Sequence, residues 1–148
     1  MSLPRRRDLL LALALVGVGI AAYLTYIGFN EQVKVVCTLG GNCETVQQSR
    51  YAKIVGIPVA TFGLAMYLGI VALLVARRIE RWRDVPLLAA WTFALALGGV
   101  VYSAYLTYLE LVVIHAICTW CVASAIVVTL ICLLSAPDVR RAAPVGRG

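Results

Sequence analysis

The chain has 148 residues, which is enough for one domain but not comfortably for two. Hydrophobic residues make up 62% and charged residues 14%, whereas soluble domains are about half apolar and about a quarter charged. The net charge of +6 does not indicate nucleic-acid binding, because the basic residues form short clusters between long apolar runs. The composition therefore excludes an ordinary soluble domain and predicts one membrane domain over residues 1–148.

The first predicted element is a transmembrane helix at about residues 9–29. This run has no charged residue, and about 20 helical residues cross a bilayer core. Arg5, Arg6 and Arg7 precede it. The pair Arg6-Arg7 loosely resembles a twin-arginine signal. However, the apolar run is too long for a signal peptide, and no cleavage site in a polar stretch follows it. We therefore expect the first helix to remain in the protein.

A long outer loop, residues 30–56, follows the first helix and contains Cys37 and Cys43. The intervening Gly40-Gly41-Asn42 tolerates positive φ, so the chain can double back and let the two cysteines meet. Loops of this length are usually lids or binding segments. Residues 45–55 are expected to form a short surface helix that covers the mouth of the bundle.

Three further spans are predicted downstream. An apolar run at 57–76 forms the second, and a link with four arginines follows it. The run 86–134 is interrupted only by Glu110 and His115 and is roughly twice the length that a bilayer requires, so it divides into spans at about 86–109 and 115–134. The tail is 137–148.

A second cysteine pair, Cys118 and Cys121, lies at the outer start of the fourth span. Residues three apart are neighbours on one helix face, and a helix N-terminus lowers the pKa of a thiol. Cys118 is therefore the more plausible thiolate, with Cys121 one turn deeper in the bilayer. Cys132 has no partner in the sequence pattern and is expected to be a packing residue.

The basic residues orient the four spans. An even number of spans places three clusters on one side, which the positive-inside rule assigns to the cytoplasm. Both termini are then cytoplasmic, and both cysteine pairs face the outer side, where disulfides persist. The clusters contain ten of the thirteen basic residues: Arg5, Arg6, Arg7, Arg77, Arg78, Arg81, Arg83, Arg140, Arg141 and Arg147.

Other interpretations of the cysteines are a non-catalytic membrane scaffold with structural disulfides, a four-thiolate zinc site and a metal permease. Zinc is disfavoured because Cys-x2-Cys half-sites normally fold small soluble modules, whereas this one begins a lipid-embedded helix. No metal is predicted.

The combined pattern is Cys37-x5-Cys43, Ser49, Gly56-Ile57-Pro58 and Cys118-x2-Cys121. Over about residues 8–136 it resembles the bacterial members of the vitamin K epoxide reductase family. The other bacterial quinone-linked disulfide oxidase, the DsbB kind, has its two cysteine pairs in the reverse order, which disfavours that family.

The resemblance implies an all-α bundle of four transmembrane helices that holds a quinone, menaquinone or ubiquinone, near the outer leaflet of a bacterial or archaeal plasma membrane. It implies that Cys121 is the quinone-proximal thiol, that Cys118 is its exchange partner, and that Cys37 and Cys43 carry electrons from outside. Ser49 would lie near the quinone or steady the loop. A hydroxyl that caps the loop helix is the structural interpretation of Ser49.

The implied activity is reoxidation of a periplasmic thioredoxin-like, DsbA-like protein, with two electrons passed to the quinone by thiol–disulfide exchange. Many bacterial members carry a fifth helix and a fused thioredoxin-like domain. This chain ends at Gly148, so the donor is expected to act in trans.

The mammalian enzymes have a quinone-contacting tyrosine where this chain has Ala125, so epoxide reduction is not implied. Hydrogen-bond donors to a quinone carbonyl would assist the reaction, with Ser49 as one candidate and His115 as a weaker one.

Overall fold

The computed structural model describes residues 2–37 and 40–142, which form a bundle of four long helices. Each of the four is long and apolar enough to cross a membrane, which confirms the prediction of an all-α membrane protein with four spans. Neighbours in sequence are neighbours in space, and the first helix also packs against the last. The four helices are α1 (Leu3–Phe29), α3 (Val59–Ala76), α4 (Pro86–Tyr108) and α5 (Thr119–Ala142).

The core of the bundle depends on small residues of α1 that face a large one of α3. Ala14, Gly17 and Ala21 are buried along one stripe of α1, and the ring of Tyr67 packs directly on Gly17. The Tyr67 hydroxyl donates a hydrogen bond of 2.9 Å to the backbone carbonyl of Ser124 in α5. One aromatic side chain therefore joins three helices, with its polar atom satisfied.

The close approach at Gly17 yields a stability prediction. A Cβ at this position would overlap the Tyr67 ring, whereas a Cβ at Gly19 would meet nothing within 4 Å. We expect Gly17→Ala to lower the free energy of unfolding by about 1–3 kcal/mol through overpacking. Gly19→Ala should leave it unchanged or raise it by up to about 1 kcal/mol, because alanine favours a helix. Unfolding in mixed detergent micelles measures both, and equal effects would contradict the packing argument.

The first and last helices are longer than the sequence predicts. Helix α1 begins at Leu3 rather than near residue 9, and Pro4 occupies a first-turn position that suits proline. Helix α5 continues through Pro137 to Ala142, where the sequence predicts an end near 134. The segment predicted as a tail is thus partly helical, and the remainder, including Arg147, lies outside the described residues.

A buried ion cluster explains these extensions. Asp138 of α5 pairs with Arg6 of α1 and with Arg77 at the end of α3, the latter at 3.0 Å. All three side chains are less than one-tenth exposed. Asp8 and Arg78 form an exposed pair beside them. The contacts bring the N-terminal arginines, the link after α3 and the end of α5 to the same end of the bundle.

The loop between α1 and α3 differs from its prediction. Its helix α2 is short, Cys43–Gln47, and no helix covers residues 48–55. The strands β1 (Lys53–Ile54) and β2 (Ile57–Pro58) instead form an antiparallel hairpin. Its two central residues, Val55 and Gly56, have φ of 52° and 81°, as the common two-residue hairpin turn requires. Local turn geometry and β-branched residues therefore outweigh the helical pattern.

Candidate active site

The connection between α4 and α5 is a π-helical turn, Leu109–Ile114, followed by a short loop. His115 adopts a left-handed conformation with φ of 54°, which ends the helix. The amide of Ala116 then donates to the carbonyl of Glu110 at 3.0 Å. Helix α5 consequently begins at Thr119 and not near 115. His115 is exposed and does not line the cavity described below, so the structure does not bring it to the site.

The second cysteine pair lies at the start of α5. The carbonyl of Cys118 accepts the first helical hydrogen bond, from Val122 at 3.0 Å, and its side chain is fully buried. Cys121 lies one turn further along the helix and is partly exposed. A hydrogen bond from the Cys121 thiol lowers the pKa of the Cys118 thiol. This direction agrees with the sequence-based choice of Cys118 as the thiolate.

The loop pair is a disulfide. Cys37 and Cys43 are bonded, with their Cα atoms 5.9 Å apart, and Gly40 between them has φ of 76°. The chain therefore doubles back as the glycine-rich segment predicts, although Thr38 and Leu39 lie outside the described residues. The amide of Asn42 donates to the carbonyl of Ile117 at 3.0 Å, which fixes the returning chain against the loop before α5.

The two pairs lie together. Cys43 and Cys118 are buried in one apolar cluster, and Cys37 and Cys121 pack against its surface. The Cys37 sulfur is 3.9 Å from the Thr119 hydroxyl, one residue beyond Cys118. The structure therefore gathers the four cysteines that the sequence predicts as a site at one end of the bundle. Cys132 instead belongs to the main core.

Trp120, between the two cysteines of the second pair, ties the loop to α5. Its indole N–H donates to the carbonyl of Val36 at 3.0 Å, next to Cys37. Its ring also packs against Tyr23 of α1, with centroids 5.1 Å apart. The sequence analysis missed this residue. The available signal was an aromatic side chain with a polar N–H beside a cysteine pair, since such a group usually finds a partner when it is packed.

A largely apolar cavity lies below the cysteines, with walls from all four long helices and the loop. Cys121 and Ser49 both line it. The Ser49 hydroxyl donates to the carbonyl of Val46 at 2.7 Å, so it steadies the end of α2 and does not cap the start of that helix. The two residues predicted to lie near a quinone are thus at one cavity. Its other lining residues include Leu24, Val59, Met66, Tyr67, Tyr102, Leu106 and Glu110.

A sequence model of the vitamin K epoxide reductase family matches residues 9–136, which is most of the chain. The chain belongs to the vitamin K epoxide reductase family. Members of this family are membrane oxidoreductases that act by thiol–disulfide exchange, and this chain is therefore one of them. The neighbouring cysteine pairs fit that activity.

Vitamin K epoxide reductase family members use quinones, and the cavity has the character that such a molecule needs. Its walls are mainly apolar, which suits a ring and an isoprenoid tail, and Cys121 and Glu110 are among the polar side chains that line it. Within residues 2–37 and 40–142, no three His, Cys, Asp or Glu side chains are grouped so that they could hold a metal ion.

Glu110 is the second residue that the sequence analysis missed as part of the site. Its side chain is only 3% exposed, and a carboxylate oxygen accepts the amide N–H of Cys118 at 3.1 Å. The sequence analysis treated it only as the marker of a turn. The overlooked signal was an acidic residue within a long apolar run, because ionisable residues at membrane depth usually have a function.

Proposed function

We propose that this protein is a quinone-dependent thiol–disulfide oxidoreductase. It reoxidises a thioredoxin-like, DsbA-like partner protein and passes two electrons to a membrane quinone, which supports disulfide-bond formation. The observation that carries the proposal is the cluster of Cys37, Cys43, Cys118 and Cys121 directly above a cavity that Cys121 lines. The four cysteines that would exchange disulfides therefore lie next to the site that would hold the electron acceptor.

The difference in burial between the loop cysteines supports an order for their reactions. Cys37 is partly exposed, whereas Cys43 is 1% exposed and packs beside Cys118. A thiolate of the partner therefore attacks Cys37, since access decides which sulfur is attacked. The mixed disulfide resolves within the partner, which leaves oxidised and releases both loop thiols. Cys43 then attacks Cys118 of an oxidised Cys118–Cys121 pair, which breaks that disulfide and releases the Cys121 thiol. Cys37 attacks Cys43 in turn, so that the loop disulfide reforms and Cys118 is released as a thiol.

The last step transfers two electrons from the Cys118–Cys121 dithiol to the quinone. A disulfide forms between the two sulfurs, and two protons and two electrons convert the quinone to its hydroquinone. Position 125 of α5 is alanine and not the tyrosine of the mammalian enzymes, so an ordinary respiratory quinone, menaquinone or ubiquinone, is the proposed acceptor.

The proposed location is the plasma membrane of a bacterium or archaeon. The cluster around Arg6, Arg77 and Asp138 lies at the end of the bundle opposite the cysteines. With the arginines on the cytoplasmic side, both termini are cytoplasmic and the cysteines face the periplasm or cell exterior. Disulfide exchange with exported proteins requires this orientation.

The test is quinone reduction by purified protein in nanodiscs, with a reduced thioredoxin-like protein as donor. We expect one hydroquinone for each donor disulfide formed, and, without quinone or oxygen, donor oxidation only up to the number of disulfides that the enzyme itself carries. A non-catalytic scaffold with structural disulfides predicts neither product. Donor oxidation that is independent of added quinone would contradict the proposed acceptor.

Trp120→Phe should slow transfer from the loop pair to the helix pair. Phenylalanine retains the ring contact with Tyr23 but lacks the N–H that holds Val36. Loss of one hydrogen bond costs about 0.5–1.5 kcal/mol, so donor-driven turnover should fall about 2- to 12-fold. Quinone reduction by fully reduced protein in a single turnover should be unchanged.

Trp82→Phe is the matched control, because Trp82 lies in the link between α3 and α4, away from the cysteines. Stopped-flow measurements of both phases separate the steps. An equal loss in the two phases for Trp120→Phe would indicate general damage to the site and not a loosened loop.

A further inference from the structure

Glu110 is a buried carboxylate within a helix that can span the membrane. It lies in the segment Pro86–Ile114 and is 97% shielded from solvent. Burial of an ionisable group at this depth is costly, and such groups usually mark a pathway for ions, protons or substrate. The π-helical turn that holds Glu110 is a distortion frequently found at functional sites.

The contacts of Glu110 point to the second cysteine pair. One carboxylate oxygen accepts the backbone N–H of Cys118 at 3.1 Å. Cys121 lies three residues beyond Cys118, in the first turn of α5. Glu110 and Cys121 both line the cavity. A single carboxylate therefore holds the backbone of one cysteine of the pair and borders, together with the other cysteine, the space proposed for the acceptor.

Three hydroxyl groups of the cavity are less suited to move protons, because each donates its hydrogen to a backbone carbonyl. Ser49 donates to the carbonyl of Val46, Tyr67 to that of Ser124, and Thr107 to that of Ser103. Their hydrogens are engaged in helix or loop contacts. Among the described residues that line the cavity, Glu110 is the one carboxylate. A carboxylate both accepts and donates a proton, as general acid–base catalysis requires.

We propose that Glu110 is a catalytic residue that carries protons from the cysteine pair to the quinone; this inference rests on the proposed function. The carboxylate accepts the proton of the Cys121 thiol as that sulfur gives up its electrons, and donates it to a quinone oxygen. The proton of Cys118 follows by the same route while the sulfur–sulfur bond forms. The dithiol thereby loses two protons and two electrons, and the quinone gains them and becomes the hydroquinone.

The decisive variant is Glu110→Gln, because glutamine retains an oxygen that can accept the Cys118 N–H but cannot carry a proton. If Glu110 only positions Cys118, this variant should remain active. Our proposal instead predicts that single-turnover quinone reduction by the fully reduced protein falls about 100- to 10,000-fold, the usual contribution of a general acid–base group. Exchange between the donor and the loop disulfide should change little.

Glu44→Gln is the matched control, since Glu44 is an exposed glutamate of α2, next to Cys43. It should behave as the unchanged protein in both phases. Thermal unfolding of each variant shows whether it folds. Glu110→Ala offers a second readout, because added formate should restore part of the quinone step when the missing function is proton transfer.

The outcomes separate this inference from the proposed function. If the unchanged protein fails to reduce quinone, the proposed function is wrong. If the unchanged protein is active and Glu110→Gln matches it, Glu110 is not a proton carrier. The same conclusion follows if both variants fold but are inactive and formate does not restore the quinone step of Glu110→Ala.

Discussion

Cys121→Ala is expected to abolish quinone reduction while the bundle remains folded. Cys121 is the only cysteine among the described residues that lines the cavity, so no other described thiol can deliver electrons there directly. Turnover should fall roughly 10⁴-fold or more, as when a catalytic nucleophile is removed from a group of residues that act together. The fold should survive because Cys121 is partly exposed and the main core lies elsewhere.

The same variant should reveal the exchange partner. Without Cys121, the mixed disulfide between Cys118 and a loop cysteine cannot be resolved from within the helix pair. This mixed disulfide should therefore accumulate when the thiolate of Cys118 attacks the disulfide of the loop pair. We expect Cys43 in that bond, because it is buried beside Cys118. Peptide mass spectrometry under non-reducing conditions identifies the linked cysteines.

Cys132→Ala is the control for Cys121→Ala. Both variants lose one thiol from α5, but Cys132 packs in the main core away from the loop pair. Quinone reduction by Cys132→Ala should match that of the unchanged protein. If Cys121→Ala retained turnover, the oxidoreductase mechanism would fail and a scaffold with structural disulfides would become the better explanation.

Asp138→Asn should have the largest effect on stability. The Asp138 carboxylate is the acidic partner of both Arg6 and Arg77, and all three side chains are buried. Burial lowers the pKa of Arg77, which reflects the cost of a charged guanidinium in this place. Since arginine does not lose its proton in proteins, loss of the carboxylate leaves two buried positive charges without compensation. We expect the free energy of unfolding to fall by about 3–5 kcal/mol.

Asp8→Asn provides the comparison. Asp8 pairs with Arg78 at the same end of the bundle, but both side chains are more than half exposed. Such surface pairs contribute about 0–1 kcal/mol, so the change should be small. Unfolding in mixed micelles measures both variants. Equal losses would show that the buried cluster has no special role, and quinone reduction by folded Asp138→Asn should be retained because the cysteines lie at the other end.

The four spans, the arginine clusters and the two cysteine pairs could be predicted from the order of residues alone. The apolar run at 9–29 and the divided run at 86–134 required only the length of a bilayer and the size of a helical step. The spacing of Cys37 and Cys43 around Gly40 predicted a bond within one loop. These features depend on residues close together in the chain, so their physical basis is visible in the order of residues.

The contacts that join these elements could not be predicted from the sequence, because they form between residues far apart in the chain. Asp138 meets Arg6 across 132 positions, and Trp120 reaches Val36 across 84. Those contacts extend α1 and α5 beyond the apolar runs and hold the loop against the second pair. Glu110 became part of the site because a π-helical turn places it where it accepts the Cys118 amide and lines the same cavity as Cys121. Hydrophobicity and local spacing specify which segments lie in lipid, whereas the side chains that meet are set by how the helices pack.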